Sequence, residues 1–151
     1  MKVTIKTLLA LIAIFTIGSS MAQDSKKKGY TLHVEVDNFR NSKGVAQFAI
    51  YNRDGTIPDE KLKRYFKKEV SQIHDGKSSV TFKNLPKGNY AITVHHDENS
   101  NGEIDKIFFY PKEGFGVSNF MEISLSNRPD FSKASFELKE DVAKKIKIIY
   151  K

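Results

Sequence analysis

The residues of this chain that are best suited to chemistry lie in one short polar stretch, His95–Asn119. Oxygen-bearing side chains occur there at alternate positions, Asp97, Asn99 and Asn101, and Gly102 follows directly. A tight loop with this alternation can direct several oxygens at one centre, which is what a hard cation such as Ca²⁺ requires. The spacing therefore predicts a calcium-binding loop.

The pattern matches the early part of a calcium loop of the EF-hand type, which uses its first, third, fifth, seventh and ninth positions as ligands and needs glycine at the sixth. The twelfth position should be a bidentate glutamate, but it is Phe108, and no flanking helices are evident. Glu113 is the nearest later carboxylate and is the candidate for an additional ligand. The predicted ligands are Asp97, Asn99, Asn101 and Asp105 through their side chains and Glu103 through its backbone carbonyl.

The same residues also fit a turn that binds no metal. Asp and Asn side chains bond to nearby backbone groups, and Asn101-Gly102 favours positive φ. The sequence leaves both interpretations open.

An enzymatic site is the weakest of the alternatives. Adjacent side chains in a strand face opposite ways, so His95 and His96 are not expected to share a metal. A small hydrolase would use Ser118, His96 and Asp97, but no nucleophile-elbow motif surrounds the serine. We therefore expect a non-enzymatic protein.

Aromatic residues follow the loop in the segment 108–120, and two interpretations of them are open. Large rings usually anchor a core because each buries much apolar area. If they are exposed, they could instead contact a cell-envelope protein or glycan. The rings are Phe108, Phe109, Tyr110, Phe115 and Phe120.

The amino terminus predicts export. Residues 1–22 have a charged start, an apolar core and a small-x-small end, as a signal peptide does. The apolar core is too short to span a membrane. Residues 23–29 are a polar leader and residues 30–151 a single domain. We expect the mature chain to begin at Gln23, to lack a membrane span and to be periplasmic or extracellular.

Composition excludes several kinds of function. The chain has no cysteine, which excludes disulfides, thiolate metal sites and cysteine catalysis. Removing the signal peptide takes away two lysines and no acid, which lowers the formal charge from +7 to +5. The lysines are dispersed, with local concentrations at 26–28, 61–68 and 144–147. Nucleic acid is not an expected partner of such an exported chain.

Short alternating segments separated by turn residues predict an all-β fold. Tyr30–Val36 and Val45–Tyr51 alternate as half-buried strands do. Further strands are expected at 78–82, 90–94, 121–125, 131–138 and 146–150. Within 58–73 we expect a short helical turn, near 58–66, followed by a strand. About seven strands in one domain favour a β-sandwich of immunoglobulin-like or transthyretin-like type.

Three motifs occur in order along the chain: Leu85–Ala91, His96–Asp105 and Pro111–Asn119. Together they resemble the motifs of the secreted bacterial domain-of-unknown-function family 2141 (DUF2141). The resemblance covers Tyr30 to Tyr150 and implies an exported β domain without an established activity. The acidic loop is also similar to calcium loops in the β-sandwich repeats of bacterial surface adhesins.

Overall fold

The computed structural model describes residues 29–107 and 110–150. The predicted signal peptide and all but the last residue of the predicted leader lie outside the described residues. Almost all of the regular secondary structure in the described chain is strand, which confirms the all-β prediction. Its elements are β1 (Tyr30–Asp37), β2 (Val45–Tyr51), β3 (Lys67–Ser71), β4 (Ser78–Leu85), β5 (Gly88–Asp97), β6 (Lys106–Ile107), β7 (Tyr110–Pro111), β8 (Phe115–Val117), α1 (Phe131–Ala134), β9 (Phe136–Leu138) and β10 (Val142–Lys147).

Two sheets form the body of the domain. The smaller sheet has the strand order β10-β1-β4, with β1 and β10 parallel. The larger sheet has the order β3-β2-β5-β8, and β9 pairs with the start of β5. Strands β6 and β7 form a separate two-stranded antiparallel sheet. Backbone hydrogen bonds between Phe115 and Ile149 join one edge of the larger sheet to the chain that follows β10.

The main core lies between the two sheets, as in a sandwich. In β1 the side chains of Leu32, Val34 and Val36 point inward and are buried, whereas Glu35 is exposed. This alternation is the one that the sequence predicts, because the outer face of the smaller sheet meets solvent. The larger sheet contributes Phe48, Ile50, Ile92 and Val94 to the same core.

The larger sheet is buried on its other face as well. A second apolar cluster there combines β2, β5 and β8 with the connections that follow β2 and β8. For this reason β2 is buried almost throughout and shows little alternation in burial. The second cluster contains Ala49, Tyr51, Ile57, Ala91, Val117, Phe120, Phe131 and Ala134.

Three local predictions need correction. The region near 58–66 holds one hydrogen-bonded turn, in which the Leu62 amide donates to the Asp59 carbonyl, and no helix. Residues 121–125 are irregular, with bends at 121 and 125, instead of a strand. The predicted strand 131–138 begins as α1, because Asp130 accepts the Lys133 amide as an N-cap and Phe131 and Ala134 share one buried face. The described strands also outnumber the predicted seven.

The last strand starts earlier than the sequence pattern predicts. Strand β10 begins at Val142, and Ile146 is its one buried residue; Ile148, just after the strand, is buried as well. No helix among the described residues is long and apolar enough to cross a membrane.

Candidate functional site

The first predicted ligand, Asp97, is the last residue of β5 and is held by the larger sheet. Its Cα partner across the sheet is Val45, the first residue of β2. Asp97 is only 1% exposed. Its Oδ2 accepts a hydrogen bond from Gln47 Nε2 at 2.5 Å, on the same face of the neighbouring strand. The loop therefore begins from a carboxylate whose position the sheet determines.

The chain after Asp97 turns back around this carboxylate. Asp97 Oδ1 accepts from the Asn101 amide at 3.1 Å, and Oδ2 accepts from the Gly102 amide at 2.9 Å. Gly102 has a φ of +81°, which is the conformation that the sequence predicts for it. The side-chain oxygens of Asn99 and Asn101 each accept the amide two residues ahead, at 3.0 and 2.8 Å.

Asp105 closes the loop from its far end. Its Oδ2 lies 2.6 Å from Asn99 Nδ2, and its Oδ1 lies 3.3 Å from Asn101 Nδ2. The structure thus brings the four predicted side-chain ligands into one turn. Asn99, Asn101 and Glu103 are exposed, so the loop is open to solvent.

The charge in the loop comes from few groups. Among the described residues, no three His, Cys, Asp or Glu side chains are grouped so that they could hold a metal ion. A cation in this loop would therefore depend on amide and carbonyl oxygens in addition to Asp97 and Asp105. Such mixed oxygen sets are typical of Ca²⁺.

Glu113 lies at the base of the loop and contacts both of its ends. Its Oε1 accepts from the Glu98 amide at 3.0 Å, and its Oε2 accepts from the Asp105 amide at 3.2 Å. His95 Nε2 lies 2.8 Å from the same Oε2. Glu113, which the sequence predicts as an additional ligand, therefore anchors the backbone at both ends of the loop.

His95 is buried beneath the loop and stacks on Phe115, with ring centroids 4.7 Å apart. Burial lowers the pKa of His95, although the hydrogen bond and charge of Glu113 oppose that shift. The ring donates its Nε2 proton to the carboxylate. His95 Nδ1 and Gln47 Oε1 belong to paired residues of β5 and β2, and neither atom has a hydrogen-bond partner among the described residues.

His96 faces the opposite side of the sheet, as the alternation of β5 predicts. Its Nε2 donates to the Lys43 carbonyl at 2.9 Å, so its Nδ1 accepts from the Tyr150 hydroxyl at 2.7 Å. Arg40 forms an ion pair with Glu98 and lies over the Tyr150 ring, 4.8 Å from its centroid. These contacts connect the loop to the β1–β2 connection and to the carboxyl-terminal segment.

The hydrolase constellation is not assembled. Ser118 Oγ donates to the Ala134 carbonyl at 2.6 Å and accepts from the Ile92 amide at 2.9 Å. The ring nitrogens of His96 bond to Lys43 and Tyr150, and Asp97 bonds to Gln47 and the loop backbone. Ser118 thus holds backbone segments together, and the three side chains make no hydrogen bond to one another.

Two rings of the aromatic segment are described, and both pack against neighbouring residues. Phe120 is buried in the second cluster, and the half-buried Phe115 stacks on His95. Residues 108 and 109 and the side chain of Tyr110 lie outside the described part of the chain. The two described rings act as anchors, which agrees with the ordinary interpretation of the segment.

Sequence reasoning missed two residues of the site. The sequence pattern identifies Gln47 only as part of a strand. A polar residue among the apolar residues of β2 was a signal that it has a buried hydrogen-bond partner. Arg40 gave no local signal, because its contact with Glu98 spans 58 residues of sequence.

The fold and the loop together define a β-sandwich with an oxygen-rich loop at one end of its larger sheet. The chain belongs to the family described as an uncharacterized protein conserved in bacteria (DUF2141), whose model matches residues 34–147. No curated protein matches the chain significantly. No solved structure matches it significantly either.

Proposed function

We propose that this protein is an exported, non-enzymatic β-sandwich domain that binds Ca²⁺ through the loop 97–105. The ligands are the side-chain oxygens of Asp97, Asn99, Asn101 and Asp105 and the backbone carbonyl of Glu103. The bound cation orders the loop and stabilises the native state by mass action.

One observation carries this proposal. The Asp105 carboxylate meets the Asn99 and Asn101 side chains at the open side of a turn whose base is the Asp97 carboxylate. Two carboxylates in one short turn repel each other, and a divalent cation removes that repulsion. The asparagine amide hydrogens that face Asp105 satisfy its oxygens without a metal, so a cation has to compete with them.

The test is thermal unfolding of the protein in EDTA and then in millimolar Ca²⁺ or Mg²⁺. A cation present at about 100 times its Kd adds about 2.7 kcal/mol to the free energy of unfolding. We expect a Ca²⁺-dependent rise in Tm and a smaller rise with Mg²⁺, because Mg²⁺ demands stricter octahedral geometry and releases water reluctantly.

Two matched variants assign the effect to the loop. Asp105→Asn removes one ligand charge and should abolish most of the Ca²⁺-dependent rise. Glu103→Gln removes one charge from the same loop but leaves the backbone carbonyl in place, so its rise should equal that of the wild type. An absent rise in the wild type, or an equal rise in both variants, contradicts the proposal.

A further inference from the structure

A second surface of this protein has a composition that no structural role explains. Residues 61–70 form a turn and then the edge strand β3, and we call them the basic-aromatic strip. Their sequence is Lys-Leu-Lys-Arg-Tyr-Phe-Lys-Lys-Glu-Val, with five basic residues and one acid. Three large apolar side chains are exposed within it: Tyr65 by 40%, Phe66 by 40% and Val70 by 53%.

The lysines of the strip are not neutralised. Arg64 pairs with Asp59 at 3.6 Å, and the preceding Glu60 pairs with Lys106 at 2.6 Å. Among the described residues, no carboxylate forms an ion pair with the four lysines of the strip. Most lysines that form no ion pair simply face solvent, but here they lie on both sides of two adjacent exposed rings within ten residues of chain. The four lysines are Lys61, Lys63, Lys67 and Lys68.

The strip is held from beneath by a buried acid. Asp59 is 8% exposed and accepts the Arg64 amide at 2.6 Å, and its carbonyl accepts the Leu62 amide at 3.1 Å. Arg64 also donates to the carbonyls of Gly55 and Pro58. The turn is thus preorganised, and a partner would not have to order it on binding.

We infer that the basic-aromatic strip binds an acidic polysaccharide. The unneutralised lysines complement a polyanion, and exposed rings pack against the apolar faces of sugars as they do against other apolar groups. Strand β3 pairs with β2 only, among the described strands, so it offers an extended track and a row of backbone groups on its outer edge. A linear polymer fits such a track better than a small compact ligand.

A membrane surface fits the same strip less well. An interfacial anchor usually presents the apolar face of an amphipathic helix, and this segment is a turn and a strand. The rings are more than half covered by neighbouring groups, so they form a platform and do not protrude. Phe66 contacts the ring of the buried Tyr90 at 6.0 Å between centroids.

The experiment measures binding to polygalacturonate, with neutral dextran as the uncharged control. EDTA is present throughout, so that the result is independent of the calcium loop. We expect binding to polygalacturonate that weakens with added salt, because screening reduces interactions between exposed charges. We expect no binding to dextran.

Two triple variants with the same loss of charge locate the surface. K61Q/K63Q/K68Q should lower the affinity for polygalacturonate about tenfold, since three ionic contacts are lost. K77Q/K139Q/K147Q changes exposed lysines elsewhere on the domain and should lower it less than about twofold. An equal loss in both variants would show that net charge alone is responsible and would overturn the inference.

A pair of variants at Tyr65 tests the aromatic contribution. Tyr65→Ser should lower the affinity about threefold, whereas Tyr65→Phe should preserve it, because the ring and not the hydroxyl makes the contact. The Tm of each variant verifies that the fold is intact. Unchanged affinity in Tyr65→Ser overturns the inference, and so does tighter binding to single-stranded DNA or to phosphatidylglycerol vesicles than to polygalacturonate.

Discussion

At the scale of single residues, the most constrained group of the site is the Glu113 carboxylate. It is buried, yet it accepts hydrogen bonds from two backbone amides at the ends of the loop and from the His95 ring. A buried carboxylate without partners is strongly unfavourable, and hydrogen bonds to the charged form offset that cost. Glu113 therefore couples the shape of the loop to the stability of the domain.

Glu113→Gln should lower the free energy of unfolding by about 1–3 kcal/mol, because an amide NH₂ replaces one acceptor oxygen and leaves a buried donor unpaired. Urea unfolding followed by circular dichroism measures the change. The exposed Glu140 contacts no partner among the described residues, so Glu140→Gln is the matched control and should leave the midpoint unchanged. If the Glu113→Gln variant were as stable as the wild type, the carboxylate would not be an anchor of the loop.

At the scale of elements, β8 is placed by its close approach to the carboxyl-terminal segment. Gly116 pairs with Val94 of β5, and a Cβ on Gly116 would lie 2.5 Å from Ile146 Cγ2 and 3.0 Å from the Lys147 carbonyl oxygen. Only a residue without a side chain allows β8 and β10 to approach this closely. The joined edge brings Glu113, two residues before β8, beneath the loop.

Gly116→Ala should destabilise the domain by about 1–3 kcal/mol, because the added methyl group overpacks the contact with β10. Gly88→Ala in β5 is the comparison, since a Cβ there meets only Tyr90 Cε2, at 3.7 Å. That change should stay within about 0.5 kcal/mol of the wild type. Thermal unfolding distinguishes the two variants, and equal Tm values would contradict the close approach of β8 to β10.

At the scale of the whole molecule, the larger sheet has an apolar cluster on each face. Tyr51 belongs to the cluster away from the smaller sheet, is fully buried, and donates its hydroxyl to Asp59 at 3.3 Å. Burial is the largest of the effects that raise the pKa of Tyr51 to about 12. The same hydroxyl connects the sheet to the turn that supports the basic-aromatic strip.

This pKa predicts a loss of stability in alkali. Tyrosine ionises near pH 10 in the unfolded chain, so between about pH 10 and 12 the unfolded state holds fewer protons than the native state. The contribution of Tyr51 to the free energy of unfolding is therefore fully present below pH 10. It decreases by roughly 1.4 kcal/mol per pH unit between about pH 10 and 12. Urea unfolding at several pH values should show a shallower alkaline decline for Tyr51→Phe than for the wild type. Parallel curves would contradict the assignment.

Local pattern was sufficient for part of this protein. Alternation in β1 indicates which side chains are buried, and alternation in β5 places His95 and His96 on opposite faces, because strand geometry imposes that period on any sequence. The spacing from Asp97 to Asp105 predicts the turn, since Asn99 and Asn101 each bond to the backbone amide two residues ahead. Family membership was likewise recognisable from motifs in the chain.

The local sequence pattern predicted the wrong secondary structure where contacts with residues distant in the sequence decide the conformation. The alternating segment from Phe131 begins as a helix because its apolar residues cover the second cluster. Residues 121–125 have strand-like composition, but Met121 and Leu125 are exposed and no strand pairs with them in the described structure.

The sequence by itself determined the fold class and which residues form the oxygen-rich loop, because both depend on neighbours a few positions apart. Only the tertiary structure decided that Glu113 supports the backbone of that loop, that Gln47 holds Asp97, and that Tyr65 and Phe66 are exposed among unneutralised lysines. Those outcomes depend on strand register and sheet order. Register is set by the burial of whole faces, and no short segment encodes it.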